Sequence, residues 1–425
     1  MSLFIKGGRL IDPKNGIDKI KDIVIEDGRI AEIIDPSIGT AAGGEVISAS
    51  GMIVSPGFID LHVHLRDPGQ EYKEDIRSGT ESAAAGGFTT VCCMPNTQPI
   101  NDNETVTQYI LEKAKKEGIV NVVPAGAITK GSKGEELAEI GKLKEAGCVA
   151  LTDDGWPVMN GEMMRRSLEY AKAFDLVVMP HCEDKHLSAG GVMNESRIST
   201  EMGLRGIPCQ AEEVMIARDI LLAELTQCRI HFAHVSSEGG VRMIREAKKR
   251  GIAVTAETCP HYFTLTDDAI IGYNTNAKMN PPLRSIKDRE AVKSGLSDGT
   301  IDAISTDHAP HSPDEKEQEF DKAPFGIIGL ETVLPLSLTL VRDGRISLPQ
   351  MISLLSINPA NILKIKKGSL ELGACADITL FDPDEDWVVD ANKFKSKSRN
   401  TPFDGWKMKG KIKFTIVSGK VVYRN

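Results

Sequence analysis

The sequence predicts an α/β protein: a (β/α)8 barrel of the TIM type, with a small β-sandwich domain built from both chain ends. The middle of the chain alternates short apolar runs with helical patterns, which is typical of βαβ units and a parallel sheet. Several of these runs end in histidine or aspartate. Both chain ends instead consist of strand-like segments joined by tight turns.

Tight hairpin turns mark the two ends of the chain. Asp27-Gly28 and Ser418-Gly419 each separate two strand-like segments, and such dipeptides favour two-residue hairpins. The strands predicted at the ends span residues 22–26, 29–33, 376–381, 413–417 and 420–423. Because each end has an apolar face to cover, we expect them to pair. The predicted small domain is therefore residues 1–55 plus 366–425, and the barrel is residues 56–365.

The barrel prediction depends on eight apolar runs separated mostly by helical patterns. The runs span residues 57–61, 89–94, 121–125, 149–152, 176–181, 229–234, 252–257 and 303–306. Runs of this length, enriched in β-branched residues, are typical of buried parallel strands. Catalytic groups of such barrels lie at the carboxyl ends of the strands. Polar residues that follow these runs are therefore candidates for an active site.

The first run ends in His62-Val63-His64 and leads to Arg66. Alternate residues of a strand point the same way, so both imidazoles are expected on one side. Two imidazoles at the end of a buried strand provide half of a metal site, and imidazole suits zinc. The Arg66 guanidinium is suited to hold a carboxylate. A metal that activates water beside such a cation indicates hydrolysis of an acidic substrate.

Later runs end in further metal-ligand residue types. These residues are Asp153, Asp154, His181, His234 and Asp307. A barrel would bring them close to His62 and His64. A single histidine at one strand end would not be enough to predict a metal centre, but this set of residues is. We therefore predict a metal centre. His231 is expected to face the other side of its strand, and His261 is left open as either a pocket or a core residue.

Composition narrows the class of function. The formal net charge of −9 argues against binding to nucleic acid or to an anionic membrane. The eight cysteines form no CxxC pair, which favours reduced thiols in a cytoplasmic protein over a disulfide framework. No run of about 18 apolar residues occurs, so no transmembrane helix is expected.

Six motifs in one order connect the chain to a known family. They are DLHVHLRDPG, LTDDGWPV, HCED, HFAHVSS, KMNPPLR and STDHAPH. Together with Met94-Pro95-Asn96 they closely resemble the bacterial type I dihydroorotases of the amidohydrolase superfamily, over nearly the whole chain. The resemblance implies reversible cyclisation of N-carbamoyl-L-aspartate to (S)-dihydroorotate with release of water. This reaction is a step of de novo pyrimidine (UMP) biosynthesis.

The resemblance also implies a binuclear zinc site. Its ligands would be His62, His64 and Asp307 for one ion, His181 and His234 for the other, and Asp154 as the bridge. Many superfamily relatives bridge with a carboxylated lysine, but the strand from Cys148 to Asp154 contains no lysine. Two zinc ions per chain are expected, and one is possible. Asp153 is an alternative bridge that fits the family pattern less well.

The family pattern gives roles to further residues. Zinc-activated hydroxide would attack the ring amide, with Asp307 as general acid and base. Arg66, Asn96 and His311 would bind the substrate carboxylate, and Asn280 would bind the ring. Phe325 and Gly326 would contact substrate through their backbone, at the end of a charged segment that begins at His311. The position of this segment after the eighth strand suggests a lid.

Two other readings remain open. A hydantoinase, dihydropyrimidinase or allantoinase would share the barrel and the HxH pair but would typically carry the lysine bridge. A catalytically silent scaffold for aspartate carbamoyltransferase would have lost metal ligands, and all six are present here. We expect a small-molecule substrate and a homo-oligomer. A carbamoyltransferase partner is possible.

Overall fold

The computed structural model describes residues 2–36 and 44–425. The strands are β1 Leu3–Asp12, β2 Ile17–Glu26, β3 Arg29–Ile34, β4 Glu45–Ser48, β5 Ile53–Pro56, β6 Phe58–Val63, β7 Phe88–Cys93, β8 Asn121–Gly126, β9 Ala150–Leu151, β10 Val177–Val178, β11 Met193–Asn194, β12 Gly206–Ile207, β13 Ile230–Phe232, β14 Val254–Thr258, β15 Ala303–Ile304, β16 Ile378–Val388, β17 Lys407–Val417 and β18 Lys420–Arg424. The α-helices are α1 Ile76–Ala85, α2 Glu104–Glu117, α3 Ile140–Ala146, α4 Gly161–Ala173, α5 Arg197–Met202, α6 Gln210–Thr226, α7 Glu238–Lys249, α8 Pro260–Thr264, α9 Ile286–Asp298, α10 Pro313–Lys316, α11 Val333–Arg342, α12 Leu348–Leu355 and α13 Ile357–Leu363.

The two chain ends pair in one mixed eight-stranded sheet, as the sequence predicts. Its order is β18-β17-β16-β5-β1-β2-β3, and β4 pairs with β1. The link between the ends is β16, which runs antiparallel to β5. Both predicted hairpin turns form, and Asp27, Gly28, Ser418 and Gly419 all have positive φ angles between 48° and 78°. Such angles are those of the turn type that best fits the twist of a two-residue hairpin.

The middle of the chain forms the predicted barrel. Eight strands pair in the order β15-β14-β13-β10-β9-β8-β7-β6, and the paired neighbours run parallel. The ring closes just beyond β15, where His308 forms a parallel bridge to Val63 and its carbonyl accepts from the His64 N–H at 2.9 Å. Each predicted apolar run overlaps one of these strands. Closure brings the residues after β6 beside those after β15.

The barrel and the terminal sheet share a packed boundary. The Phe58 ring at the start of β6 lies 6.0 Å from the Phe88 ring and 6.1 Å from the Phe381 ring of β16. All three side chains are fully buried. Within the described ranges, no helix combines the length and the apolarity that crossing a bilayer requires.

Candidate metal centre

The two histidines of the HxH motif lie side by side at the carboxyl end of β6. Every residue of β6 is buried, and the strand alternation turns both imidazoles to the same side. The His62 Nε2 atom lies 3.2 Å from Asp154 Oδ1 and 3.4 Å from Asp307 Oδ1. The His64 Nε2 atom lies 3.1 Å from Asp307 Oδ1 and 3.4 Å from Asp154 Oδ2. Residues from three strand ends therefore meet at one point.

The other two predicted histidines join the cluster from β10 and β13. The His181 Nδ1 atom lies 2.9 Å from His234 Nε2, and these atoms lie 3.8 Å and 3.7 Å from Asp154 Oδ1. Among the residues that the structure describes, two groups have ligand atoms close enough to share an ion: His62, His64 and Asp307, and His62, Asp154 and His234. The first matches the predicted set. The second contains His62 where the prediction has His181, and His181 lies beside the His234 of that group.

A buried imidazole nitrogen of the cluster lacks a hydrogen-bond partner, as expected of an atom that binds a cation. His62 Nε2 is buried and makes no hydrogen bond, although two carboxylates lie nearby. Burial opposes a charge on His62, but Asp154 and Asp307 hold the pKa of its imidazole well above the ordinary value. This end of the barrel therefore stabilises positive charge. Imidazole nitrogens and carboxylate oxygens form the donor set that zinc takes in proteins.

Asp153 and Asp154 are adjacent but face different surroundings. Asp153 accepts hydrogen bonds from the N–H groups of Ile128 at 2.7 Å and Thr129 at 3.0 Å, and also from the Thr129 hydroxyl. Burial raises the pKa of Asp153 to about 6. Asp154 instead faces the histidines. Its placement agrees with the choice of Asp154 over Asp153 as the bridging candidate.

A buried glutamate on β14 supports the cluster from behind, and the sequence prediction missed it. Glu257 Oε1 lies 3.2 Å from His62 Nδ1, and Glu257 Oε2 lies 3.2 Å from His231 Nε2. Burial alone would raise the pKa of Glu257, but the two histidines lower it below the usual range. A carboxylate on the far nitrogen of a ligand histidine fixes the ring and its tautomer. His231 faces away from the cluster, as expected.

A second missed carboxylate supports His181. Glu183 Oε2 lies 3.0 Å from His181 Nε2, and it accepts from the Asn280 amide at 3.0 Å and from Lys185 at 2.5 Å. Glu183 is 6% exposed. The sequence did contain a signal for this contact, because the HCED motif places Glu183 two residues after the strand-end His181. Asn280, predicted to contact substrate, is thereby held beside the metal cluster.

The predicted carboxylate-binding residues lie on one flank of the cluster. Arg66 Nε donates to the Pro310 carbonyl at 3.2 Å, and Arg66 Nη2 lies 3.3 Å from His311 Nε2. The Asn96 Oδ1 atom lies 2.9 Å from His64 Nδ1, and its amide donates to Asp154 at 3.3 Å. We call Arg66, Asn96 and His311 the carboxylate flank. Its guanidinium is buried without a carboxylate ion-pair partner among the described residues.

One cavity of about 480 Å³ joins the cluster to the carboxylate flank. Among the predicted site residues, it is lined by His64, Arg66, Asn96, Asp154, His181, His234, Asn280, Asp307, His311 and Phe325. His62 and Gly326 do not line it: the His62 side chain is 1% exposed, and Gly326 packs against His311. His261 does not line it either, and burial lowers the pKa of that imidazole to about 3.

Three residues around the cavity adopt backbone angles that are uncommon for side-chain-bearing residues. The φ angles are +59° for Arg66, +37° for His234 and +46° for Asp307. Positive φ costs free energy outside glycine and persists where the surrounding structure holds it, often at functional sites. Each of these residues directly follows or lies close to the end of a barrel strand. The strained positions therefore coincide with the predicted site.

The chain is highly similar in sequence to known proteins of one family. The chain is 59% identical over 424 residues to a dihydroorotase from Geobacter metallireducens, which covers 100% of both chains. It is 60% identical over 423 residues to a dihydroorotase from Geobacter sulfurreducens, covering 100% of this chain and 99% of the relative. A dihydro-orotase-like family model matches residues 51–239, and an amidohydrolase family model matches residues 242–423. The chain belongs to the dihydroorotase family.

Solved structures show the same fold in neighbouring amidohydrolases. An L-hydantoinase from Arthrobacter aurescens superposes with a TM-score of 0.89 at 29% identity, covering 99% of this chain and 96% of that one. A dihydropyrimidinase from Brevibacillus agri gives a TM-score of 0.86 at 25% identity, covering 100% and 95%. This dihydroorotase family member thus shares its fold with a hydantoinase and a dihydropyrimidinase. This family member is an enzyme with clustered histidine and aspartate metal-ligand groups.

Proposed function

We propose that the chain catalyses the reversible cyclisation of N-carbamoyl-L-aspartate to (S)-dihydroorotate with release of water, in de novo pyrimidine (UMP) biosynthesis. One observation supports this substrate above the others. The His and Asp cluster and the Arg66 guanidinium, which has no carboxylate ion-pair partner among the described residues, share one cavity. Dihydroorotate carries a carboxylate in addition to its cyclic amide, so it would use both features. Arginine binds carboxylates with two parallel hydrogen bonds.

We propose that the cluster holds two zinc ions. His62, His64 and Asp307 would bind one, His181 and His234 would bind the other, and Asp154 would bridge them. Zinc bound here would acidify water to a pKa of roughly 7 and polarise the amide carbonyl. Because His62 Nε2 also lies near Asp154, a one-zinc enzyme is the alternative. Metal analysis of the purified protein separates the two occupancies.

Asp307 would move the proton of the reaction. Burial favours its neutral form, but His62 and His64 lower the pKa of Asp307, so the carboxyl is ionised and able to accept a proton. In ring opening it would take a proton from the attacking water and deliver it to the departing ring nitrogen. In ring closure it would take a proton from the ureido nitrogen, which attacks the carboxylate carbon, and pass that proton to the departing oxygen. A second proton from solvent completes the water that leaves. The position of Asp307 between the cluster and the cavity suits both directions.

The carboxylate flank would orient the substrate. Arg66 and His311 would hold the carboxylate, and Asn96 would add an amide donor. Asn280, which also lines the cavity and lies beside Glu183, would donate to the ring. The backbone of Phe325 and Gly326 would complete the site beside His311. These contacts would place the amide carbon over the cluster, which lowers the entropy cost of the reaction.

A substrate panel tests the proposal. The purified enzyme, with its zinc content measured, is assayed with dihydroorotate, hydantoin, dihydrouracil and allantoin at equal concentration. We expect turnover of dihydroorotate and of N-carbamoyl-L-aspartate in reverse. Preference for hydantoin or dihydrouracil would favour the hydantoinase reading, which the shared fold makes the leading alternative. Absence of turnover by a zinc-loaded chain would favour the scaffold interpretation, against which the presence of all six predicted ligand residues in the sequence argues.

We also propose the organisation and setting of the enzyme. The small domain would comprise residues 1–55 and 366–425 and the barrel residues 56–365, which agrees with the two large sheets. The eight free cysteines support a cytoplasmic location. A homo-oligomer, with or without an aspartate carbamoyltransferase partner, stays a prediction. Light scattering of the enzyme alone and mixed with that transferase tests both assemblies.

A further inference from the structure

The loop from His311 to Gly326 carries three residues that the proposed function gives to the substrate: His311, Phe325 and Gly326. Its tip faces solvent, where Lys322 and Glu319 form an exposed ion pair at 2.6 Å. Its second half has little regular structure, because α10 ends at Lys316. Such a loop needs contacts from elsewhere to hold one conformation, since ordering each residue costs conformational entropy.

Lys278, which lies two residues before Asn280 in the sequence, provides one set of these contacts. Its ammonium donates to the carbonyls of Phe320 at 2.6 Å, Asp321 at 3.2 Å and Ala323 at 2.6 Å. It also lies 4.7 Å from the centre of the Phe325 ring. The Lys278 carbonyl in turn accepts from the Gly326 N–H at 2.9 Å. One residue therefore binds the loop from its middle to its end.

Lys316 provides a second set from inside the loop. Its ammonium donates to the carbonyls of Pro324 at 2.8 Å and Gly326 at 3.2 Å. Lys316 is 5% exposed and Lys278 is 2% exposed. Neither ammonium forms an ion pair with a carboxylate of the described residues, and both are surrounded by backbone carbonyls. Burial lowers the pKa of Lys316 to about 7 and that of Lys278 to about 8. Each amino group therefore depends on the surrounding backbone carbonyls as its hydrogen-bond acceptors, and it orders those carbonyls in turn.

The bound carbonyls connect directly to the carboxylate flank. The Phe325 carbonyl lies 2.9 Å from His311 Nε2, and that nitrogen lies 3.3 Å from Arg66 Nη2. Gly326 has φ +155° and packs so closely that a Cβ there would lie 2.7 Å from His311 Cδ2. A shift of residues 325–326 would therefore displace His311. The position of His311 depends on how firmly the end of the loop is held.

We propose that Lys278 and Lys316 are positioning residues that close the His311–Gly326 loop over the cavity and set His311 for the substrate carboxylate. We call the pair the lysine clasp. The inference rests on the proposed function, because His311 is taken to bind that carboxylate. The clasp acts through the loop and leaves the metal cluster unchanged. Loosening it lowers the fraction of enzyme that is competent to bind, and apparent affinity falls by the same factor.

The first test separates binding from chemistry. Lys316→Met and Lys278→Met keep the apolar stem of the side chain and remove the ammonium, and Lys322→Met is the matched control in the same loop. We expect KM for dihydroorotate to rise about tenfold in either clasp variant, with kcat within about threefold of wild type. Lys316→Arg keeps the cation and restores most of the affinity. Unchanged KM in both clasp variants, or a fall in kcat alone, would overturn the proposal.

A second readout needs no turnover. A glutamate-specific protease probes the exposed Glu317 and Glu319 in the substrate-free, zinc-loaded enzyme. We expect cleavage about tenfold faster in Lys316→Met than in wild type or Lys322→Met, with equal melting temperatures. Equal cleavage in all three proteins would refute the clasp. If wild type fails to turn over dihydroorotate, the proposed function fails, and cleavage alone still decides whether these lysines hold the loop.

Discussion

The metal cluster and the carboxylate flank lie in one cavity, but different kinds of structure hold them. The cluster residues lie at or just beyond the carboxyl ends of barrel strands, and buried Glu257 and Glu183 contact two of their imidazoles. On the flank, His311 instead contacts a loop carbonyl, and that loop is bound by two lysines. From this difference we expect substitutions at the cluster to affect mainly the chemical step. Changes at the flank should affect binding and selectivity.

Metal removal should give the largest effect, because it eliminates the cluster's chemistry. Dialysis against a chelator is expected to abolish turnover and to lower the melting temperature, and added zinc should restore both. A ligand at 1,000 times its Kd stabilises the folded state by about 4 kcal/mol. Scanning calorimetry and assay of the same sample measure both effects. Full turnover by protein shown to be metal-free would contradict the binuclear zinc proposal.

Asp307→Asn should come next, since it removes the proton carrier and weakens a ligand. We expect kcat for dihydroorotate to fall about 10³-fold, within the range that general acid–base groups contribute. Zinc content, measured on the same preparation, separates loss of the proton carrier from loss of metal. A variant with normal zinc and kcat within tenfold of wild type would exclude Asp307 as the acid and base.

Arg66→Met should act mainly on binding. Loss of a charge-assisted bond to a carboxylate costs about 3 kcal/mol, which corresponds to a fall of about 100-fold in kcat/KM for dihydroorotate. Dihydrouracil lacks the carboxylate and serves as the control substrate, for which we expect little change. An equal loss with both substrates would place Arg66 in loop support, through its contact with the Pro310 carbonyl, and would remove the carboxylate argument.

Glu257→Gln should have the smallest effect of the four, because it acts through His62. Support of this kind typically changes metal affinity by 10–100-fold, so we expect about a tenfold weaker zinc affinity in competition with a chelator. At saturating zinc, kcat should stay close to wild type. The Lys316→Met enzyme is the natural comparison, since its zinc affinity should be normal while its KM rises. A raised KM in Glu257→Gln together with a weakened zinc affinity in Lys316→Met would contradict the distinction between cluster and flank.

Much of the fold was predictable because its signals are local. Apolar runs, helical patterns and turn dipeptides such as Asp27-Gly28 depend only on neighbouring residues. The alternation of His62 and His64 in a strand is equally local, so the HxH pair was the clearest indication of a metal centre. The general rule for barrels then predicted which distant strand ends should meet. The strands do meet in that order.

The sequence by itself determined the barrel, the pairing of the chain ends and the residue types of the metal centre. The reason is that hydrophobic periodicity and strand order can be seen in the sequence itself. Only the tertiary structure decided that Glu257 and Glu183 support the histidines, that Asp154 faces them while Asp153 binds backbone, and that two lysines hold the loop. These are contacts between distant segments. A local pattern gives the direction of a side chain, and the partner it meets depends on how the elements pack.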